Sequence, residues 1–374
     1  MMQGGDRYTG ACAMRIRDHG IFLAIGILLA RIIAPASAAQ PTAWTDSGRI
    51  DLDSMANLAG GLQSRAASSA LLQWSASLDT AAAGWWSGGN VDFSVEGVRS
   101  SGNLPARTGA VQLPSNEWAP NFLRIYQLTY AQDLGAAKLR AGIMDMNQYF
   151  EASDVADLLH NGTFGMSPNF TANINDPSFP NPGLGLMGNW QVGPGWQARA
   201  GVWQGNPPGI GGALREGALG IAEVERDWGG GRAHPGADLK LGVWHDAHAA
   251  GSGFGATTSG AYLVGETRWQ LAHRSWGAFV LAGTSPAQVD LVTEFAAAGL
   301  LVTGPLPQRP HDQFSLGLGR VTLDAPEPET FIEAVYSWQL GPSWSLQPDL
   351  QWLDHPGGSA PGAWVGGLRV HLAF

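Results

Sequence analysis

Trp344-Ser-Leu-Gln-Pro-Asp-Leu-Gln-Trp352 and, just beyond it, Ala363-Trp-Val-Gly-Gly-Leu-Arg-Val-His-Leu-Ala-Phe374 decide the fold of this 374-residue chain. In the first stretch Trp344, Leu346, Leu350 and Trp352 alternate with Ser345, Gln347, Asp349 and Gln351. In the second, Trp364, Leu368, Val370, Leu372 and Phe374 alternate with Gly367, Arg369, His371 and Ala373. Successive side chains of a strand point to opposite faces, so each stretch has one greasy and one polar side. Alternation alone does not say which side is wet. A soluble sandwich turns its apolar faces inward. A transmembrane barrel turns them to lipid and lines an aqueous lumen with the polar ones.

Three features favour the barrel. Trp74, Trp269, Trp344, Trp352 and Trp364 sit near the ends of apolar faces, where an aromatic girdle belongs. The polar faces carry charges of both signs, amides and glycine. The last strand ends on an aromatic, Phe374, on its apolar side. Comparable alternating stretches, bounded by Gly, Pro, Asn or Asp, recur at 57–64, 70–79, 90–99, 122–132, 136–145, 183–191, 196–204, 217–228, 236–245, 260–271, 275–284, 294–303, 312–322, 329–340, 344–353 and 363–374. The pattern predicts an all-β chain: a transmembrane antiparallel β-barrel of about sixteen strands, with fourteen or eighteen as the alternatives.

Composition agrees. Only 14% of residues are charged, 52 are glycine and 16 are tryptophan, and the net charge is -10. No run of 18 apolar residues exists, which excludes a multi-span helical protein, and an acidic chain lacks the basic face of a nucleic-acid binder. Closing the sheet on itself lets backbone live in lipid without unpaired amides.

Residues 1–39 read as a cleavable signal peptide. Arg7, Arg15 and Arg17 precede the apolar segment Ile21–Ala30, and Ala36-Ser-Ala38 with Ala39 offers a small-residue cleavage site. Translation starts at Met1 or at Met14. Cleavage removes the one cysteine, Cys12, and with it thiolate metal sites, redox motifs and a cysteine nucleophile. Residues 40–374 are then a single barrel domain. One connection, Met146–Pro182, is far longer than a turn. Loops of this length are usually functional, and the expectation is a loop folded into the lumen to narrow it.

The second half resembles the carbohydrate-selective porins of the OprB family. The resemblance lies in Gly299-Leu-Leu-Val-Thr-Gly-Pro-Leu-Pro-Gln-Arg-Pro-His-Asp312, Glu329-Thr-Phe-Ile-Glu-Ala-Val-Tyr336, Leu346-Gln-Pro-Asp-Leu-Gln-Trp-Leu-Asp-His-Pro-Gly-Gly358 and Val365–Phe374. Upstream, Leu139-Arg-Ala-Gly-Ile-Met-Asp-Met-Asn147 followed by Phe150 is similar to the segment by which that family enters its constriction loop. The resemblance implies a sixteen-stranded outer-membrane barrel of a Gram-negative bacterium for passive uptake of sugars.

A sugar channel needs polar groups that replace hydration piecemeal and bind weakly enough to let the solute leave. Charge-assisted hydrogen bonds supply this with direction. On the expected lumen face these are Asp92, Glu96, Gln127, Lys138, Arg140, Arg199, Glu266, Arg268, Glu333, Gln347, Asp349, Gln351 and Arg369, with Tyr149, Phe150 and Glu151 from the long loop. Each is as well suited to bracing a loop as to touching solute. Expected partners are sugars as permeants, outer-membrane lipids and, through Phe374, the barrel-assembly machinery. No nucleic acid, cofactor or metal is expected, and the oligomeric state is open.

Other readings are a general porin without sugar preference, a barrel enzyme, and a soluble sugar-binding β-protein. No serine in a nucleophile-like context pairs with a placed histidine. Gly183-Leu-Gly-Leu-Met-Gly188 matches G-x-G-x-x-G without the strand-and-helix surroundings a nucleotide needs. His245-Asp-Ala-His248 reads as a strand end, and Asp51 with Asp53 lacks the further oxygens of a calcium loop.

Overall fold

A computed structural model describes residues 42–207, 217–229, 235–248, 257–287 and 289–374. The expected signal peptide lies outside them. Sixteen strands follow in chain order: β1 (Trp44–Gly60), β2 (Ala66–Asp79), β3 (Gly89–Ser101), β4 (Phe122–Leu134), β5 (Ala137–Met144), β6 (Gly183–Gly193), β7 (Trp196–Gln204), β8 (Gly217–Asp227), β9 (Gly236–His248), β10 (Thr258–Leu271), β11 (Arg274–Thr284), β12 (Val292–Thr303), β13 (Gln313–Leu323), β14 (Glu329–Gly341), β15 (Trp344–Asp354) and β16 (Ala363–Ala373). Each pairs antiparallel with its sequence neighbours, and β1 pairs with β16, with Asp53 opposite Arg369, to close the barrel.

The alternation seen in the sequence sets the faces. Leu52, Ile125, Val243, Val280, Leu318 and Ile332 point outward and are exposed. A continuous belt of this kind belongs against acyl chains, because soluble proteins rarely expose large apolar patches. Outward charges such as Arg99, Glu294 and Arg320 sit within a few residues of strand ends on one rim. That rim carries the long connections, and the other carries short turns such as Gly135-Ala136 and Ala272-His273.

Fifteen of the expected strands lie within a few residues of their observed positions. The first does not. Residues 57–64 are the end of β1 and the turn after it: Asn57 Nδ2 donates to the carbonyls of Gly60 and Gln63, and Gly60 and Gly61 adopt φ of 73° and 58°. Such left-handed backbone suits glycine and ends a strand. The true β1 begins thirteen residues earlier, at Trp44.

Pro348 points to the lipid side of β15. Pairing with β14 runs to Val335–Asp349 and resumes at Trp338–Leu346, so the ladder lapses opposite the residue that has no N–H, while pairing with β16 continues through Pro348–Leu368.

Glycine makes room for aromatics. A Cβ on Gly185 or Gly201 would lie 2.5 Å from the Trp203 indole, one on Gly188 would lie 2.5 Å from Trp190, and one on Gly242 would lie 2.0 Å from the Tyr262 ring. The G-x-G-x-x-G match is therefore a barrel wall shaped around two indoles.

Candidate functional site

The connection from β5 to β6 enters the lumen and crosses it. Its apolar side chains Met146, Phe150, Val155, Leu159, Phe164 and Phe170 are buried, in one cluster with the inward-facing Trp203, Ile221, Trp244, Tyr262, Phe279 and Phe331 of the barrel wall. Phe150 meets Trp203 edge-on at 5.7 Å, Phe164 meets Phe331 at 5.2 Å, and Phe170 meets Trp244 at 4.7 Å between centroids. Aromatic pairs in such geometry add to the burial itself. The expected wet lining therefore holds for only part of the lumen. From β7 to β14 much of the wall is apolar and covered by the loop.

Buried carboxylates on that wall clamp the loop by its backbone. Glu223 accepts from the Glu151 amide at 3.0 Å and the Tyr262 hydroxyl at 2.8 Å. Glu266 accepts from Ser153 Oγ at 2.7 Å and the Val155 amide at 3.3 Å. Glu333 accepts from the amides of His160 at 2.6 Å and Asn161 at 3.1 Å. The β3–β4 connection also bends inward. Glu329 takes the amides of Val111 and Gln112 at 2.9 and 3.0 Å, Gln112 Nε2 at 3.1 Å and the Gly357 amide at 2.6 Å. The two loops join where the Asn116 amide donates to the His160 carbonyl at 2.6 Å and the Gly162 amide to Leu113 at 2.8 Å.

What stays open is a polar space of about 440 Å³. Its lining includes Arg49, Asp51, Arg369 and His371 on β1 and β16, Asn116 and Glu117 on one loop, Asp154 and Asp157 on the other, and Arg268, Gln339 and Gln347 on the wall. Opposite charges there lie close together. Arg49 is 3.2 Å from Glu117 and 3.5 Å from Asp51, Arg369 is 3.3 Å from Glu117 and 3.0 Å from Asp53, Arg268 is 2.8 Å from Glu266, and His371 is 2.6 Å from Asp51. Arg49 and His371 each keep about a third of the side chain exposed (38% and 33%), so they face the space as well as their partners. A second recess of about 390 Å³ is lined by Thr45, Ser47, Ser77, Asp92, Gln127, Arg140 and Tyr149. Arg140 bonds Asp92 there, donates to Thr129 Oγ1 at 2.8 Å and stands 5.3 Å from the Tyr149 ring.

Burial pushes the Glu117 carboxyl up to about 7, although Arg369 pulls it down. Burial also raises Glu151 to about 8 and Asp145 to about 6, and lowers His160 to about 3, so its ring is neutral.

The expected site residues therefore divide. Arg268, Gln347 and Arg369 line the first space, and Asp92, Gln127, Arg140 and Tyr149 the second. Glu96, Glu266, Glu333, Asp349 and Gln351 are buried against loops or neighbouring strands, and Arg199 is bound to Glu223, Glu225 and the Tyr149 carbonyl. Phe150 and Glu151 are buried under the loop, so Tyr149 is the one of the three loop candidates that fronts open space. Lys138 stands near the short-turn rim, 3.2 Å from Asp133. Arg49, Asp51, Asn116, Glu117 and His371 were not foreseen. For Arg49 and Asp51 the signal was present, since Arg49-Ile-Asp-Leu-Asp53 alternates as every other strand does.

The resembling segments are largely architectural. In Gly299–Asp312, Arg309 is held 2.8 Å from Asp312, which also accepts from the Tyr336 hydroxyl at 2.6 Å and the Gln339 amide at 3.0 Å, bracing a short turn. In Gln347–Gln351, the three polar residues all face inward, where Gln347 and Gln351 hold the loops.

A closed barrel of sixteen antiparallel strands, apolar outside and narrowed inside by a folded loop, has the architecture of a porin. The family model described as carbohydrate-selective porin, OprB family, matches residues 63–374. The high-pH structure of Pseudomonas putida OprB is similar with a TM-score of 0.79 at 16% identity, covering 89% of this chain and 94% of that one. The low-pH structure of the same protein gives 0.61 at 14%, covering 89% and 93%. A loop-deleted OmpT from Vibrio cholerae gives 0.56 at 10%, covering 89% and 100%. No curated protein matches. The chain belongs to the carbohydrate-selective porins of the OprB family. It is a channel of the Gram-negative outer membrane, and carbohydrates are its permeants.

Proposed function

We propose that a neutral monosaccharide or small oligosaccharide passes between the β1–β16 wall and the two inward loops, in contact with Arg49, Asp51, Glu117, Asp154, Arg268, Gln347, Arg369 and His371. The observation that carries this reading is charge pairing. Four carboxylates line the space beside three arginines, most of them within 4 Å of an opposite charge, and His371 is hydrogen-bonded to Asp51. Mutually compensated charges present little net field to an ion, yet their remaining donors and acceptors stay available to hydroxyl groups. The recess around Arg140 and Tyr149 supplies an aromatic face against which the apolar side of a sugar ring can slide. The exterior apolar belt supports outer-membrane lipid as a second partner, and insertion through the barrel-assembly machinery by way of Phe374 belongs to the same proposal.

Proteoliposome swelling tests the selectivity. Glucose should enter faster than a zwitterion of equal size. Equal rates would leave a general porin in place of a sugar channel.

A further inference from the structure

His160 of the long loop meets Glu333 and Asp349 of the barrel wall at a buried point away from lipid. One ring nitrogen of His160 and one carboxylate oxygen from each acid lie within 4.8 Å of one another, and all three residues are buried, at 0%, 0% and 6% exposure. Two side-chain atoms of these three residues have no hydrogen-bond partner: His160 Nδ1 and Asp349 Oδ2. Buried polar atoms are seldom left so, and each such orphan calls for an explanation.

Local wiring prepares the trio. Gln347 Nε2 donates to Ser345 Oγ at 3.1 Å, which turns its Oε1 toward His160 Nε2 at 3.0 Å. That contact makes Nε2 the protonated nitrogen and leaves the Nδ1 lone pair bare, the tautomer a metal-binding imidazole needs. Gln351 Nε2 holds Asp349 Oδ1 at 3.1 Å and so aims the other oxygen. Glu333 is fixed by the His160 and Asn161 amides. Among the described residues neither carboxylate has an ion pair, and nearby Arg369 is committed to Asp53 and Glu117. Two adjoining carboxylates therefore have no cation within ion-pair distance among the described residues.

We propose that this trio binds one divalent transition-metal ion of the Zn2+ class. One imidazole and two carboxylates suit such an ion, whereas Ca2+ and Mg2+ favour all-oxygen shells. His160 belongs to the constriction loop, Glu333 to β14 and Asp349 to β15. The ion staples the narrowing loop to the barrel at the point where Gln347, itself in the lining of the open space, touches His160. The competing arrangement is a single proton shared by the two acids.

The test uses the full folded chain, refolded with and without ZnCl2, passed over a desalting column and assayed for bound metal. Wild type should retain one Zn2+ per barrel. Asp349→Asn and His160→Ala should retain at least tenfold less while still showing the heat-modifiable folded band. Zn2+ should raise the unfolding temperature of wild type alone. A wild type that keeps no ion, or an Asp349→Asn barrel that keeps as much as wild type, would overturn the site in favour of the shared proton. If the variants do not fold, Co2+-loaded wild type decides: intense visible absorption of a low-coordinate ion supports the site, and the weak spectrum of hydrated Co2+ rejects it.

Discussion

Replacing Glu329 by glutamine tests how the inward loops are held. Both oxygens of this fully buried carboxylate accept two hydrogen bonds: Oε1 from the Gln112 amide and side chain, Oε2 from the amides of Val111 and Gly357. Glutamine is nearly isosteric but carries one oxygen and one NH2. In either orientation the NH2 confronts two N–H donors, so two charge-assisted bonds are lost. At ~1.5–3 kcal/mol each, the gross loss is about 3–6 kcal/mol. Removing a buried charge returns part of that, leaving on the order of 3 kcal/mol, or ~100-fold in an equilibrium constant. Three of the four bonds come from the β3–β4 loop and the fourth from Gly357 of the β15–β16 connection, so most of the loss falls on docking of the β3–β4 loop, and the strand ladder is untouched. Hydrogen exchange should therefore speed about 100-fold at Val111 and Gln112 and stay unchanged at mid-strand amides of β14. Because Asn116 and Glu117 ride on the same loop, single-channel current noise should increase as well. Exchange at those two amides within threefold of wild type would refute the clamp. Loss of the folded band would show that Glu329 holds the barrel and not the loop.

The other predictions concern the long loop. Folding raises Glu151 from 4.5 to about 8, so above pH 4.5 the undocked loop has shed a proton that the docked loop keeps. Docking then weakens as pH rises toward 8 and levels off beyond it. His160, lowered to about 3, has the opposite effect but only below its ordinary 6.5. Between pH 6.5 and 8, protease cleavage within residues 146–182 should accordingly rise, and Glu151→Gln should flatten that rise. An unchanged slope in the variant would place the titrating group elsewhere. Trp203→Ala removes the indole against which Phe150 packs and should cost about 3–5 kcal/mol, again spent on the loop. The barrel should migrate as a folded band while cleavage near Phe150 becomes rapid; a resistant loop would mean that Phe150 is held some other way.

Strand order and the two-faced pattern were legible because both depend on short-range alternation, the outward turn of the apolar faces because tryptophans sit near their ends, and the inward loop because Met146–Pro182 is far longer than a turn. Leu139, Ala141 and Ile143 had to face away from Arg140 whatever the loops did. The role of an inward residue was not legible in the same way. Glu333 and Arg268 look alike in sequence, but one accepts backbone amides of the loop and the other lines the open space. That difference depends on where a segment 173 residues upstream of Glu333 lies. Phe150 shows the same limit: an aromatic on a constriction loop can front the solute or anchor the loop, and only the glycine-walled niche holding Trp203 decides for anchoring. Arg49 escapes the sequence pattern because an expected first strand at 57–64, which is the end of β1 and the turn after it, leaves out the pairing of Arg49, Asp51 and Asp53 with the final strand of the barrel.

Sugar block of single-channel current tests the proposed route most directly. With wild type in a planar bilayer, added glucose should reduce ion current along a saturating curve, and Arg49→Ala should move its half-point to higher sugar while leaving the folded band intact. Current that falls only in proportion to solution viscosity, identically in both proteins, would contradict passage beside Arg49.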